Sequence, residues 1–436
     1  MKIKNKTKTV KTSFTGGNLT NYSGIYPIYK FMKKIKIDQI LEQTITLPER
    51  LNQKYSLSQI FNTIILGLSS GMNRLLKIEY FSLDPLVSYL LDMNGHLDID
   101  TIRYRINQFG NRQNVELMEV IGKLSRKVHK QLQTEKDILD LDSTVKTVYG
   151  HQEGARKGYN PTKRGKRSYH PLLAFLNSTK ECFLSWLRPG DAYTANNADE
   201  FLKQALSMLP DQIKYLTVRA DSGFFNDKVI SVLENQKRKI GYIIKVKLKN
   251  LESLLKSQDW EEIIGLDGWE MCEFEYRAAS WSKSRRFVAV RKFKKMGGLD
   301  TLFPYKEYSY FCYVTNIEDS PIYLHRFYGD RGESENWIEA VKKQLYAGTI
   351  LTKDFWANET YFLLSVLAYN INLWLRKLTD ERAWRQEPQS FRFWFIQVAG
   401  RFTKSSRRRF LRMYNSYYYK SWWSKIDKKV DELSFA

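Results

Sequence analysis

The sequence is poor in cysteine and histidine, with three cysteines and five histidines among 436 residues. None of the cysteines forms a Cys-x-x-Cys pair, and the histidines are scattered, so a structural zinc site is not expected. An odd, small number of widely spaced cysteines also argues against a disulfide framework and favours a reducing compartment.

Long hydrophobic runs are also absent. The longest uncharged apolar stretch, residues 360–375, has 16 residues and contains two asparagines, which is too short for a membrane-spanning helix. The N-terminus carries lysines without an apolar segment behind them, so no secretory signal is expected. These absences predict a cytoplasmic protein with no membrane partner.

Acidic residues are missing from the first 37 positions, which hold nine lysines. Over the whole chain 70 Lys and Arg stand against 47 Asp and Glu, a formal net charge of +23. An excess of this size indicates a polyanionic partner, nucleic acid before membrane. The first lysines, Lys2, Lys4, Lys6 and Lys8, are candidates for DNA contacts from a basic arm, and a merely solvated tail is the alternative.

The period of the hydrophobic pattern divides the chain. Helical spacing dominates residues 28–134 and includes the capping box Ser56-Leu-Ser-Gln59. From residue 136 the pattern alternates, and the order strand, strand, strand, helix, strand, helix predicts a mixed α/β sheet. The predicted regions are a basic flexible arm (1–27), a helical N-terminal DNA-binding domain (28–134), a first core segment (135–238), a β-rich insertion domain (239–325), a second core segment (326–377) and a basic aromatic C-terminal region for DNA binding or dimerisation (378–436).

Two of the predicted strands end in an aspartate. Asp142 follows an apolar strand, and Asp221 ends the strand 215–221 just before a Ser-Gly turn. Sites in α/β proteins are built at the carboxyl ends of strands, so the two carboxylates are expected to lie together. Asp137 and Asp140 are alternatives on the first strand, and a turn or capping role is the alternative for any single aspartate of this kind.

A third carboxylate belongs to the spacing Tyr328-x2-Arg331-x3-Glu335-x6-Lys342. Steps of three, four and seven place the four side chains on one stripe of a helix. A carboxylate flanked by two cations and a phenol suits a metal ion that holds a phosphate. A solvated face with an ordinary ion pair is the alternative. The opposite stripe is apolar and is predicted to face a core: Ile338, Val341 and Leu345.

Three carboxylates brought together would repel one another without cations. With two divalent ions they would form a phosphoryl-transfer site. The hypothesis depends on the set of Asp142, Asp221 and Glu335 rather than on any one of them, and Glu333 and Glu339 are neighbouring alternatives for the third position.

The combined motifs resemble those of a known family. Asp-Ser-Thr at 142–144, Arg-Ala-Asp-Ser-Gly-Phe-Phe at 219–225 and the Tyr-Arg-Glu-Lys spacing are similar to the DDE transposases of bacterial insertion sequences. The branch is the cut-and-paste one, whose nuclease core carries a β insertion between the second Asp and the Glu. Tyr149-Gly-His-Gln-Glu-Gly154 and Leu187-Arg-Pro-Gly-Asp191 add to a likeness that covers residues 135–345.

The resemblance implies an α/β fold with an RNase H-like mixed-sheet catalytic core, interrupted by a β-strand insertion domain and flanked by helical N- and C-terminal regions. It implies two Mg²⁺ ions, for which Mn²⁺ can substitute, and no small-molecule cofactor. The catalytic and metal-binding residues would be Asp142, Asp221 and Glu335. The side chains that grip the terminal phosphates would be Tyr328, Arg331 and Lys342.

The implied function is transposition. The protein would bind the terminal inverted repeats of an insertion sequence, cut one strand, and excise the element through a DNA hairpin. It would then join the 3′-OH ends to target DNA as a homodimer in the bacterial nucleoid. In this family an aromatic side chain of the β insertion holds a flipped base, for which Trp269 and Trp281 are candidates.

The C-terminal region interleaves basic and aromatic residues, which suits a nucleic-acid backbone and unstacked bases. Arg407, Arg408 and Arg409 are candidate DNA contacts there, and a docked amphipathic helix is the alternative. For the whole chain, the alternatives are a metal-dependent nuclease without strand transfer and an inactive, transposase-derived DNA-binding protein. An RNA-binding protein is disfavoured because its common sequence modules are missing.

Overall fold

The structure is a computed structural model that describes residues 10–48, 53–297 and 305–435. The candidate contacts Lys2, Lys4, Lys6 and Lys8 lie outside the described residues. The α-helices are α1 (Ile25–Lys34), α2 (Ile37–Thr44), α3 (Leu57–Ser70), α4 (Leu75–Ser82), α5 (Pro85–Leu90), α6 (Ile99–Asn107), α7 (Asn111–Leu132), α8 (Ala198–Met208), α9 (Asp227–Glu234), α10 (Glu252–Lys256), α11 (Pro321–Gly329), α12 (Glu333–Glu339), α13 (Phe355–Thr379), α14 (Glu381–Trp384), α15 (Pro388–Phe391) and α16 (Lys420–Glu432).

The strands are β1 (Leu19–Thr20), β2 (Lys136–Ser143), β3 (Lys146–Thr147), β4 (Arg156–Lys157), β5 (Arg167–Tyr169), β6 (Leu172–Leu176), β7 (Glu181–Trp186), β8 (Tyr215–Ala220), β9 (Ile240–Lys245), β10 (Glu261–Glu262), β11 (Trp269–Tyr276), β12 (Arg285–Gly297), β13 (Tyr305–Thr315), β14 (Gly400–Ser405) and β15 (Arg408–Met413). Short 3₁₀ turns cover Leu248–Asn250 and Asp330–Gly332, and π-helical turns cover Ala340–Gln344 and Arg392–Ile396.

The largest sheet is mixed and has the strand order β10-β11-β12-β13-β9-β8-β2-β6-β7. At its centre β2 is parallel to β8 and β8 is parallel to β9, whereas the outer strands pair antiparallel. The predicted mixed α/β fold is therefore confirmed. The strand-rich segment after β9 extends this sheet through β13, which pairs Tyr313 with Lys245, and does not form a sheet apart from it.

The helical character of residues 28–134 is confirmed by α1 to α7. The predicted capping box begins α3: Gln59 N donates to Ser56 Oγ at 3.1 Å, and Ser56 N donates to Gln59 Oε1 at 2.9 Å. These two bonds satisfy backbone donors that a helix start otherwise leaves unpaired. Nearly all of α3 is buried because it packs against the long helix α13.

Helix α13 joins the helical region to the sheet. It packs against α3, α7 and β7, and nearly all of its side chains are buried, including polar ones. The Asn370 side chain accepts from the N–H of Cys182 at 3.0 Å and donates to the Cys182 carbonyl at 2.9 Å. The Glu359 carboxylate accepts from the N–H of Leu187 at 3.1 Å. The helical region and the sheet consequently share one continuous core. Among the residues described, no helix combines the length and apolarity needed to cross a membrane.

The C-terminal region is a hairpin followed by a helix. Strands β14 and β15 form the hairpin, and β1 adds to its edge by pairing Leu19 with Arg401. The helix α16 carries Trp422 and Trp423, both of them buried. The alternative of a docked amphipathic helix therefore applies to α16, whereas residues 408–413 form a strand.

Candidate active site

The site lies at the carboxyl ends of the two central parallel strands. Strand β2 pairs with β8 so that Leu141 is opposite Ala220, and Asp142 and Asp221 come next on each chain segment. The prediction that these strands are neighbours is confirmed. This register places both aspartates at the same edge of the sheet. The Asp142 side chain is 8% exposed, and Asp221 is half-buried.

Asp142 is held by one backbone donor and one cation. Its Oδ1 accepts from the N–H of Ser143 at 2.7 Å, and its Oδ2 lies 2.9 Å from Nη2 of Arg331. Burial raises the pKa of Asp142 to about 6; the Arg331 charge opposes this shift, while the charges of Asp221 and Glu335 add to it. The charges of Asp221 and Glu335 therefore both act on Asp142.

The turn after Asp221 is tightly packed. The Oδ1 atom of Asp221 accepts from the N–H of Gly223 at 2.9 Å. A Cβ at Gly223 would lie 2.6 Å from Cγ2 of Thr194, so a side chain there would push this contact apart. The Thr194 hydroxyl lies 3.0 Å from that of Ser143, so the segment between β7 and α8 contacts both the end of β2 and the turn after Asp221.

The segment that carries Tyr328, Arg331, Glu335 and Lys342 is not one regular α-helix, so this prediction was wrong. The four residues lie on α11, the 3₁₀ turn Asp330–Gly332, α12 and the π-helical turn Ala340–Gln344, respectively. Glycines at positions 329 and 332 have low helix propensity and flank the tight turn. The predicted core positions are buried: Ile338, Val341 and Leu345.

The irregular segment nevertheless turns its cations toward the end of β2. Arg331 Nη2 donates to the carbonyl of Leu141 at 3.1 Å in addition to its ion pair with Asp142. Lys342 Nζ donates to Thr144 Oγ1 at 2.9 Å and to the carbonyl of Val145 at 2.8 Å. Asp142, Lys342 and the exposed Glu335 consequently line one open groove between the strand end and the helix.

Tyr328 closes the site on the side of the β-rich segment. Its ring packs on that of Tyr313, with 4.7 Å between centroids, and lies 6.0 Å from the guanidinium carbon of Arg331. Burial, opposed by Arg331 and reinforced by Asp221 and the other nearby carboxylates, raises the pKa of Tyr328 to about 12. The phenol therefore stays protonated near neutral pH and can donate a hydrogen bond.

A buried ion pair between β2 and β8 lies next to the site. Arg219 donates to both carboxylate oxygens of Asp140, at 2.7 and 2.8 Å, and its Nη1 donates to the carbonyl of Phe327 at 2.8 Å. This contact fastens the end of α11 to the sheet, and it removes Asp140 as an alternative to Asp142. Asp137 is at the other end of β2, where it accepts from Ser178. The sequence could have predicted this ion pair, because Asp140 and Arg219 each precede a site aspartate by two residues on neighbouring strands.

Lys146 is a site neighbour that the sequence reasoning missed. It is 3% exposed, and its Nζ has no hydrogen-bond partner among the described residues. The amine lies 5.6 Å from the centroid of the Phe362 ring. Burial, together with the positive charge of Lys342, lowers the pKa of Lys146 to about 7. Only the tertiary fold brings the two lysines together, because nothing in their sequence separation suggests it.

The two candidate tryptophans lie in different surroundings. Trp281 is 7% exposed and packs against Phe225, with 5.3 Å between centroids, and under the guanidinium of Arg285. Trp269 is half-buried and lies 5.5 Å from the His325 ring. Trp281 is thus part of the core. Trp269 is partly exposed, with Phe311 stacked on its ring at 6.3 Å between centroids and Lys292 Nζ 5.3 Å from its centroid.

Ring contacts link Trp269 to the site. His325 lies 6.0 Å from Tyr313, whose ring in turn packs on Tyr328. The remaining candidates, Arg407, Arg408 and Arg409, are exposed on the β14–β15 hairpin and, within the described ranges, make no contact with the three carboxylates.

No group of three or more His, Cys, Asp or Glu side chains within residues 10–48, 53–297 and 305–435 is placed so that it could hold a metal ion. The donor chemistry still fits a hard divalent cation, since Asp142, Asp221 and Glu335 offer only carboxylate oxygens. The raised pKa of Asp142 reflects burial and mutual repulsion that a cation would relieve.

The family model described as transposase DDE domain, group 1, matches residues 2–435 of the chain. The chain belongs to this family. No curated protein matches it.

Two solved transposase structures show a remote likeness to this DDE transposase. One is a piggyBac transposase synaptic complex with hairpin DNA, 13% identical over 85% of this chain and 79% of that chain, with a TM-score of 0.45. The other is a Mos1 transposase paired-end complex with the left transposon end, 10% identical over 45% of this chain and 60% of that chain, with a TM-score of 0.18. Likenesses this remote add nothing to the family assignment.

Proposed function

We propose that this DDE transposase cuts and pastes a bacterial insertion sequence. It binds the terminal inverted repeats as a homodimer, excises the element through a hairpin, and joins the 3′-OH ends to target DNA. The observation that carries the proposal is the convergence of Asp142 and Asp221, from adjacent parallel strands, with Glu335 from the overlying helical segment. The RNase H-like description of the core belongs to the same proposal.

The three carboxylates are proposed as the metal ligands. Bound Mg²⁺, or Mn²⁺ in its place, would polarise the phosphodiester and activate the attacking hydroxyl. Burial of Asp142 and the fixed turn after Asp221 hold these two carboxylates with little freedom, whereas the exposed Glu335 can adjust. Pre-positioning of this kind removes part of the cost of ordering the reactants.

Tyr328, Arg331 and Lys342 are proposed to grip the phosphates of the transposon end. Arg331 is 8% exposed, and its buried Nε has no hydrogen-bond partner among the described residues, so the guanidinium must turn away from Asp142 to donate to a phosphate. Lys342 lies at the rim of the groove, where its charge can reach a phosphate oxygen. The protonated Tyr328 phenol adds a neutral donor.

Trp269 is the better candidate for holding a flipped base. It is half-buried and connected to Tyr328 through His325 and Tyr313. The Lys292 amine, 5.3 Å from the Trp269 ring centroid, would have to move aside for a stacked base. Trp281, closed in by Phe225 and Arg285, would need to leave the core to do the same.

The decisive experiment uses labelled duplexes that carry the DNA ends flanking this gene. The full chain is incubated with them with and without Mg²⁺ or Mn²⁺, and the products are separated on a denaturing gel. Glu335→Gln is compared with Glu333→Gln, a matched control two residues away on α12 that lines a different surface.

Metal-dependent hairpin and joined products that disappear in Glu335→Gln and persist in Glu333→Gln would support the proposal. Cleavage without joined product would favour the nuclease alternative. Tight end binding without cleavage under either metal would favour an inactive DNA-binding descendant, although all three acidic positions are occupied in this chain.

A further inference from the structure

The C-terminal hairpin is a ribbon with two different faces. Strand pairing places Arg401 directly opposite Arg412 and Phe402 opposite Leu411. Successive side chains of a strand point to opposite faces, and paired residues share a face. The hairpin therefore has one face that includes the Phe402–Leu411 pair and another that includes the Arg401–Arg412 pair.

The first face is packed against the protein. The ring of Phe402 lies 4.9 Å from that of Tyr89, which belongs to α5. Arg409, on this same face, lies with its guanidinium carbon 5.0 Å from the Tyr89 ring. These contacts fix the orientation of the ribbon, so the opposite face points away from the packed side.

The opposite face, called here the arginine face, carries Arg401, Arg408 and Arg412, all exposed. Like charges directly across a strand pair destabilise a sheet, and in the part of the chain that the structure describes no acid pairs with any of the three. The guanidinium carbon of Arg412 lies 5.6 Å from the Phe410 ring, its one recorded side-chain contact among the described residues. Nothing within the described chain offsets this repulsion.

We propose that the arginine face binds the phosphate backbone of duplex DNA. The inference rests on the proposed function and deepens it by naming a DNA-binding surface away from the carboxylates. A two-stranded ribbon fits the major groove, and guanidinium groups recognise phosphate with paired donors. The large apolar side chains on this surface are Phe410, 38% exposed, and Leu19, 54% exposed and paired with Arg401. Two such side chains give little apolar area to insert, so an anionic membrane fits less well.

The edge strand β1 extends this surface. Leu19 pairs with Arg401, so the segment that follows the lysine-rich N-terminus enters the molecule beside the arginine face. Lys11, ahead of β1, is exposed. Lys11 thereby precedes a strand that pairs with the arginine-bearing hairpin, which would lengthen the stretch of DNA backbone that the protein can contact.

The test removes the cross-strand pair in the full-length protein. Arg401→Gln/Arg412→Gln is compared with Lys228→Gln/Lys237→Gln, which removes the same charge from two exposed lysines on α9 and in the turn that follows it. Affinity for a duplex carrying the element end is measured by fluorescence anisotropy over a range of salt concentrations. The arginine variant should bind about tenfold or more weakly, with a salt slope shallower by about two, whereas the control should bind like wild type.

Folding and cleavage controls make each outcome decisive. Relief of the Arg401–Arg412 repulsion should leave the thermal unfolding midpoint of the arginine variant unchanged or higher. The inference would be overturned if the arginine variant kept the wild-type DNA affinity and salt slope, or if the control lost as much affinity. In either case, cleavage of element ends by the wild type would still support the proposed transposase activity. Arginine-dependent binding to phosphatidylserine vesicles with unchanged DNA binding would also overturn it. Failure of the wild type to bind or cut any duplex would remove both proposals.

Discussion

Lys342 and its neighbour Lys343 differ in what they touch, although they are adjacent in sequence. Lys342 donates to Thr144 and to the carbonyl of Val145 at the end of β2, whereas Lys343 forms an ion pair with Glu339 on its own helical segment. The proposed phosphate contact is therefore given to Lys342 because it touches the strand end, and not because of its charge, which Lys343 shares.

Lys342→Ala should lower the rate of hairpin formation by about 100-fold, the typical effect of removing one charged donor from a reacting oxyanion. Lys343→Ala is the matched control and should cost much less. Single-turnover assays on labelled ends measure both rates. Equal rates in the two variants would rule out the phosphate role of Lys342.

Removal of one partner of the buried Asp140–Arg219 pair should be strongly destabilising. Asp140→Ala leaves the Arg219 guanidinium buried without its carboxylate, and such a change costs about 3–5 kcal/mol of unfolding free energy. Glu135→Ala, at the exposed pair with Lys214, is the control and should unfold like wild type. Urea unfolding compares them, and the pair would be shown to be dispensable if the two variants had the same midpoint.

At the scale of elements, a buried His–Glu pair connects α7, β7 and α13. His129 Nε2 lies 2.8 Å from Oε1 of Glu181, which also receives the Ser125 hydroxyl at 2.8 Å, while the Trp374 indole donates to the other carboxylate oxygen. Burial opposes the charged imidazole, but the hydrogen bond and charge of Glu181, with Asp137, outweigh it and raise the pKa of His129 above its ordinary 6.5.

This raised pKa predicts the direction of a pH effect. A group with a folded-state pKa above its unfolded value stabilises the protein fully below the unfolded value, and the stabilisation is lost as pH rises through the folded-state pKa. The unfolding free energy of wild type relative to His129→Gln should therefore shrink as pH rises above the ordinary histidine pKa of about 6.5. A constant or growing difference would contradict the assignment.

The capping box of α3 is a second element-scale test. Ser56→Ala removes the acceptor for the Gln59 N–H and should cost about 1 kcal/mol, whereas Ser56→Gly should cost only a few tenths. Thermal or urea unfolding distinguishes the two variants. A larger loss for glycine than for alanine would show that the cap is not the cause.

At the scale of the whole molecule, the hydrophobic pattern changes from helical to alternating near residue 134, but one hydrophobic core continues across this boundary. Helix α13 is covered by α3 and α7 on one side and by β7 on the other. A fragment of residues 135–436 would expose the apolar face of α13 that α3 and α7 cover, so we expect it to aggregate or bind hydrophobic dyes strongly. Circular dichroism and size-exclusion chromatography against the full chain check this. A monomeric fragment with native-like secondary structure would show that the core folds without the helical region.

Much of the local structure could be predicted because it depends on short-range patterns. The α3 cap, the alternation of β2 and the Asp-Ser-Gly turn after β8 each depend on neighbours within a few residues. The regular α-helix from Tyr328 to Lys342 was predicted wrongly because the spacing of side chains does not reveal 3₁₀ and π-helical turns, which here accompany the contacts of Arg331 and Lys342 with the strand end.

The sequence by itself determined the mixed α/β class, the two strand-end aspartates, the helical N-terminal region and the excess of positive charge. Tertiary structure alone decided that the Asp140–Arg219 pair fastens α11, that Lys342 donates to the carbonyl of Val145 next to Lys146, and that β1 pairs with the β14–β15 hairpin. The physical reason is distance along the chain. Local patterns select helices and strands, whereas contacts between residues tens to hundreds of positions apart depend on how the whole core packs.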